Sequence, residues 1–131
     1  MKAILRNGTD VDAHEVELPS LKEGWARIRV EHVGLSGTDV AKITTGKVAP
    51  NHTDLLGHEM TGVITEICDT GFENLIGERV VIMPILPCLL GSACLGGSAN
   101  LCERGEALGR TQRGAFAEYV DAPIENLTEI G

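Results

Sequence analysis

The segment GWARIRVEHVGL, residues 24 to 35, alternates apolar and charged side chains: Ala26, Ile28 and Val30 against Arg27, Arg29 and Glu31. A period of two puts one set on each face of an extended strand, which is the wrong spacing for a helix. Shorter runs repeat the theme along the chain. MKAILRN ends in Asn7-Gly8, a hairpin-turn signal. VDAHEVELP alternates and stops at Pro19, and MTGVITEIC is a strand closed by DTGFENLIG. ERVVIMPIL is a buried strand with Pro84 and Pro87 near its end. GAFAEYVDAP is a last strand, after which IENLTEIG trails off. Strands about 8 to 12 residues apart, with turn residues between them, predict an all-β barrel or sandwich. Only TDVAKITTG departs from this, with one or two helical turns capped by Thr38 or Asp39.

The 131 residues suffice for one domain with a modest core, so residues 1 to 131 are taken as a single unit. With 43% hydrophobic and 23% charged residues the chain reads as soluble, and 3% aromatics leave the core to aliphatic side chains. The net charge is −8 and no Lys/Arg cluster exists, which argues against nucleic acid as a partner. No apolar run has the length of a membrane span and the first residues do not form a signal peptide, so a cytoplasmic protein is expected. In that compartment the four cysteines are reduced thiols or metal ligands rather than disulfides.

Two stretches carry chemistry. GLSGTDVAK, residues 34 to 42, precedes LLGHEMTG, residues 55 to 62, which sets His58 beside Glu59 between glycines. A histidine and a carboxylate are zinc ligands, yet on these residues alone a structural role is the favoured reading of His58. Cys88, Cys94 and Cys102 follow at spacings C-x5-C-x7-C within a glycine-rich segment, 87 to 109, that predicts an irregular lobe. This suggests a metal knuckle, although a closed zinc site has four ligands. Cys68, at a strand end, is read as a small core residue. His14, His32 and His52 are read as surface or capping residues, and Glu15, Glu17, Glu23 and Glu31 as solvated surface.

Taken in order, the opening MKA strand, RIRVEHVGLSGTD, LLGHEMTGVITEI, IGERVVIMPI, CLGGSANLC and GAFAEYV resemble the N-terminal GroES-like domain of the zinc-type medium-chain alcohol dehydrogenases. The resemblance implies a mainly β, partly open barrel and a parent enzyme that moves hydride between alcohols and NAD(P). It makes His58 a catalytic-zinc ligand, Glu59 its neighbour, Asp39 the support of the histidine and Thr38 a proton-relay residue. The histidine that would end that relay falls near Ala41. Ser36 stands where the family has a cysteine ligand. In the lobe, Cys88, Cys94 and Cys102 match three of four family cysteines and Gly91 stands in place of the other. Gly114, Phe116 and Glu118 match a family strand, with roles in packing and register.

Each metal site is thus short of one thiolate, and a neutral hydroxyl is a far poorer ligand. Zinc is possible but is not expected to be held stably; Glu103 is the carboxylate the lobe would borrow. No G-x-G-x-x-G turn follows, so the Rossmann domain that would bring NAD(P) is absent from this sequence and no cofactor-binding residues are assigned. Two readings result. One is the N-terminal domain of an NAD(P)-dependent oxidoreductase of small alcohols, polyols or carbonyls, inactive alone. The other is a stand-alone, non-catalytic GroES-like binding or assembly module. Either way, surface normally covered by the rest of such an enzyme is expected to favour self-association.

Overall fold

The computed structural model describes residues Met1–Gly131. The chain opens with a hairpin of β1 (Lys2–Asn7) and β2 (Asp10–Glu15), paired from Lys2↔Glu15 to Asn7↔Asp10. The Asn7-Gly8 turn signal is met. The alternation read in β2 is not, because all six of its residues are exposed and only β1 turns side chains inward.

A five-stranded antiparallel sheet forms the body: β3 (Trp25–Gly34), β4 (Glu59–Ile67), β5 (Arg79–Ile82), β8 (Tyr119–Pro123) and β9 (Leu127–Glu129). Their order is β8-β3-β4-β5-β9. Ile28 and Ile64 face each other across β3 and β4, both essentially inaccessible, and anchor a cluster with Met60, Val80, Ile82 and Val120. Each such aliphatic side chain contributes about 1.5–3 kcal/mol by leaving water. β1 joins the body edge-on through Ile4 N–H to the Phe116 carbonyl (2.8 Å) and the Ala3↔Ala117 bridge. The strands do not close into one continuous sheet, so the barrel is partly open.

Three sequence readings change here. ERVVIMPIL is not one buried strand. Pro84 has no N–H to give a ladder, and the run splits into β5, whose residues alternate exposed and buried, and β6 (Ile85–Leu86). The buried Asn126 spans the break, its Nδ2 donating to the carbonyls of Met83 (2.7 Å) and Ile85 (2.8 Å). IENLTEIG does not trail off, because β9 pairs with β5 as the edge strand. Cys68 is half-buried at the exit of β4 rather than in the core.

The polar face of β3 is also less solvated than alternation implies. Arg27 donates to both carboxylate oxygens of Asp121 at 2.9 Å and to Glu66 at 3.3 Å, with its side chain only 11% exposed. Asp121 in turn holds the guanidinium firmly charged, outweighing the loss of solvent. Glu31 is not solvated surface either; it pairs with Arg79 at 2.9 Å and Arg29 at 3.7 Å. His14 and His32 are exposed and His52 half-buried, none with a side-chain partner. The lobe carries α2 (Ser92–Leu95) and pairs β6 with β7 (Glu106–Ala107). No helix is long and apolar enough to cross a membrane.

Candidate functional site

The first site begins at the helix α1 (Gly37–Thr45). It runs two and a half turns, longer than the sequence reading, and its cap is Ser36 rather than Thr38 or Asp39. The reason is a reciprocal box. Ser36 Oγ accepts from the Asp39 N–H at 3.1 Å, while Asp39 Oδ2 accepts from the Ser36 N–H at 3.2 Å and from its hydroxyl at 2.8 Å. Side chains one turn apart satisfy donors that the helix start leaves unpaired. Ser36 Oγ is thereby engaged as acceptor and as donor.

The far end of α1 is fixed by a residue that the sequence reading passed over. Arg6, with a side chain 1% exposed, donates through Nη1 to the carbonyls of Lys42 (3.1 Å) and Lys47 (2.9 Å). Lys42 Nζ reaches the Gly109 carbonyl at 3.2 Å. Partial burial pulls the Lys42 ammonium pKa down, with the Asp39 carboxylate opposing that shift. An arginine is seldom so fully buried without partners, and its partners here lie about forty residues away in sequence.

His58 arrives on the loop before β4. Gly57 precedes it at φ 102°, in the region that only glycine enters readily, and the segment 114–116 is stitched onto this loop. The N–H groups of Gly114, Ala115 and Phe116 donate to the carbonyls of Leu55 (2.7 Å), Gly57 (3.0 Å) and Leu56 (3.1 Å). So Gly114 and Phe116 set the register of the loop that carries His58. Glu118 accepts from the Lys2 N–H at 2.7 Å.

These two elements bring Asp39 under His58. Asp39 is completely buried, and its Oδ1 has no hydrogen-bond partner; it faces His58 Nδ1 at 3.7 Å. The other ring nitrogen points to Glu59, Nε2 to Oε1 being 3.9 Å, and the Glu59 side chain is 60% exposed. The Glu59 carboxylate lies against Gly34, where a Cβ would meet Oε2 at 2.7 Å. Thr38 is exposed in the first turn of α1 without a side-chain hydrogen bond, and Ala41 offers no polar group to continue a relay from it.

The donors gathered here do not fit a firmly held zinc. His58 Nε2 and the Glu59 carboxylate remain, but the Ser36 hydroxyl is neutral and already engaged on both sides. Two available side chains fall short of the three protein ligands that a catalytic zinc uses.

The second site does gather a donor set. The sulfurs of Cys88, Cys94 and Cys102 all lie within 4.8 Å of one another, with Cys88 and Cys94 3.9 Å apart. Two thiolates on one tetrahedral zinc stand about 3.8 Å apart, given a Zn–S length of about 2.3 Å. Backbone N–H groups already point at the sulfurs: Cys88 N–H to Cys102 Sγ at 3.4 Å and Gly91 N–H to Cys88 Sγ at 3.3 Å. The N–H of Leu90 above all, together with Cys102 and the N–H of Gly91, lowers the Cys88 thiol pKa to about 7. Partial burial, then the neighbouring Cys102, pushes Cys94 up. This chemistry fits a thiophilic metal. Glu103, the carboxylate expected to complete it, lies exposed on the wall of the cavity and outside the sulfur cluster.

With both sites described, the comparisons with known proteins give the family. The profile of the alcohol dehydrogenase GroES-like domain matches residues 22–131. The chain belongs to this family. L-galactonate-5-dehydrogenase of Escherichia coli strain K12 is 30% identical over 111 residues, covering 85% of this chain and 33% of that protein. Galactitol 1-phosphate 5-dehydrogenase of the same strain is 31% identical over 131 residues, covering 97% and 37%. The crystal structure of galactitol-1-phosphate dehydrogenase from E. coli superposes with a TM-score of 0.88 at 28% identity, covering all of this chain and 38% of that one. The chain therefore spans less than two-fifths of the length of these relatives. By name they are dehydrogenases of polyols or sugar acids.

Proposed function

We propose that this chain is the substrate-side domain of an NAD(P)-dependent oxidoreductase acting on small alcohols, polyols or their carbonyl counterparts, and that alone it carries no turnover. The observation that carries this reading is the placement of the buried, unpartnered Asp39 Oδ1 beneath His58 Nδ1, in a domain whose relatives are polyol dehydrogenases. A carboxylate at Nδ1 holds the proton on that nitrogen and leaves Nε2 as the base. Alcohol oxidation breaks a C–H bond, whose electron pair leaves as hydride, and an O–H bond, whose proton needs an acceptor. His58 Nε2 is the acceptor in this proposal, and Glu59 a polar contact for the substrate's hydroxyl groups. Thr38, exposed at the helix start, passes a proton to solvent in the role the resemblance gives it. Hydride goes to a nicotinamide bound outside this chain. No step is routed through zinc, because the donors do not suit it.

A second reading, the non-catalytic binding or assembly module, draws on the capping role of Ser36. A hydroxyl spent on a helix cap and a lobe with glycine in place of a thiolate suit a scaffold that no longer performs chemistry.

Joining the chain to the part of galactitol-1-phosphate dehydrogenase that it does not cover separates the two. The dehydrogenase reading expects polyol-dependent reduction of NAD(P) by the joined protein, lost in His58→Asn, and none by the chain alone. A correctly folded joined protein that binds cofactor yet oxidises no polyol favours the module.

A further inference from the structure

The lobe resembles a closed four-thiolate site in which Gly91 has taken one corner, and the consequences of that corner are physical. Gly91 has φ −78° and ψ 162°, an extended conformation open to any residue. A Cβ built on it would meet only Cys88 Sγ, at 3.5 Å. The corner is therefore not filled by packing. It opens into a cavity of about 130 Å³, lined by the three cysteines, Gly91, Glu103 and Arg104 among others. That is several times the roughly 30 Å³ share of one water. No histidine, aspartate or glutamate joins the three sulfurs within their 4.8 Å cluster.

Zinc sites divide by ligand count: four protein ligands close a structural site, whereas three leave a position for water or an incoming molecule. We propose that Cys88, Cys94 and Cys102 form an open three-thiolate metal site, whose fourth position at Gly91 takes a small exchangeable monodentate donor from solution. Water fills that position by default, and an imidazole or a small thiol replaces it. The N–H groups of Gly91 and Cys88, which donate to Cys88 Sγ and Cys102 Sγ, stabilise the charge of those sulfurs, and the flanking Arg104 offsets the excess negative charge that three thiolates leave around a divalent ion. This site stands independently of the dehydrogenase reading.

Cobalt(II) reports both ligand type and vacancy. The reduced, chelator-stripped chain is titrated with Co(II) and its visible and near-ultraviolet absorption recorded before and after adding imidazole. The proposal expects a single equivalent of Co(II), sulfur-to-metal charge-transfer bands, and visible bands that shift saturably with imidazole. In Gly91→Cys, which the backbone accommodates, Co(II) still binds and the imidazole shift is lost. In Glu103→Gln the shift is unchanged. Reduced wild-type protein that shows no charge-transfer bands overturns the proposal. So does a wild-type spectrum indifferent to imidazole that becomes responsive in Glu103→Gln, because the fourth ligand is then the chain's own carboxylate. Visible bands indifferent to imidazole in wild type and variant alike overturn it as well.

Discussion

Asp39 Oδ1 and His58 Nδ1 face each other at 3.7 Å across the junction of α1 and the loop before β4, and the carboxylate oxygen has no other partner. The other oxygen of the same carboxylate closes the Ser36 box. One buried side chain therefore caps the start of the helix with one oxygen and turns the other toward the imidazole. Where the family has a metal-binding cysteine, this chain has a residue committed to the helix.

Ser36→Ala should destabilise the fold by about 1 kcal/mol, the usual cost of a lost N-cap. The Asp39 N–H loses its acceptor and Oδ2 loses the hydroxyl donor. Urea unfolding followed by circular dichroism reads this as a lower midpoint at unchanged slope. An unaltered midpoint would mean that the cap is dispensable.

Ser36→Cys restores the missing soft donor and weakens the cap in the same step. The expected outcome is zinc bound in the Ser36–His58–Glu59 region, together with a stability loss close to that of the alanine variant, and still no turnover by the chain alone. Zinc analysis in a Cys94→Ser background isolates this region from the lobe. Flat zinc content there would show that the loops are not placed for coordination.

In the metal-free chain the lowered pKa of Cys88 has a direct kinetic consequence. Only the thiolate reacts with iodoacetamide, so alkylation of Cys88 should rise through about pH 7 and level off above it, whereas an ordinary cysteine rises through about pH 8.5. Cys94, shifted the opposite way by partial burial and by Cys102, should react only at higher pH. Peptide mapping after timed alkylation assigns each rate. A Cys88 profile centred on the ordinary value would show that the backbone N–H groups do not hold the thiolate.

Asp121→Ala removes the bidentate partner of the Arg27 guanidinium, leaving it the Glu66 carboxylate and the Pro19 carbonyl, and should cost about 2 kcal/mol. Replacing the pair together with apolar residues of similar volume should recover much of that loss. The two midpoints, measured by urea unfolding, decide between an ion pair that must be complete and one that contributes little.

The sheet was legible because its signal is local: the alternation in Ala26–Glu31 and the Val/Ile runs of β4 and β5 each announce an extended segment. The His58, Asp39 and cysteine positions were legible through their motif order. What escaped the sequence depends on long-range partners. Nothing near Arg6 announces that it clamps the carbonyls at the end of α1, and nothing near Asp121 marks it as the partner of Arg27, ninety-four residues earlier. The edge strand β9 was missed because Leu127–Glu129 is short and becomes a strand only by pairing with β5. The cap was misplaced by two or three residues because serine, threonine and aspartate, all good caps, stand close together, and the reciprocal bond that selects Ser36 exists only once the helix has formed.

We place metal-binding capacity in the cysteine lobe and not in the His58 loop. Metal content per chain, measured by elemental analysis after saturation with zinc and removal of excess, tests this in the wild type, Cys94→Ser and His58→Asn. The account predicts a single equivalent in the wild type, unchanged in His58→Asn and lost in Cys94→Ser. Zinc that survives in Cys94→Ser and disappears in His58→Asn would contradict it.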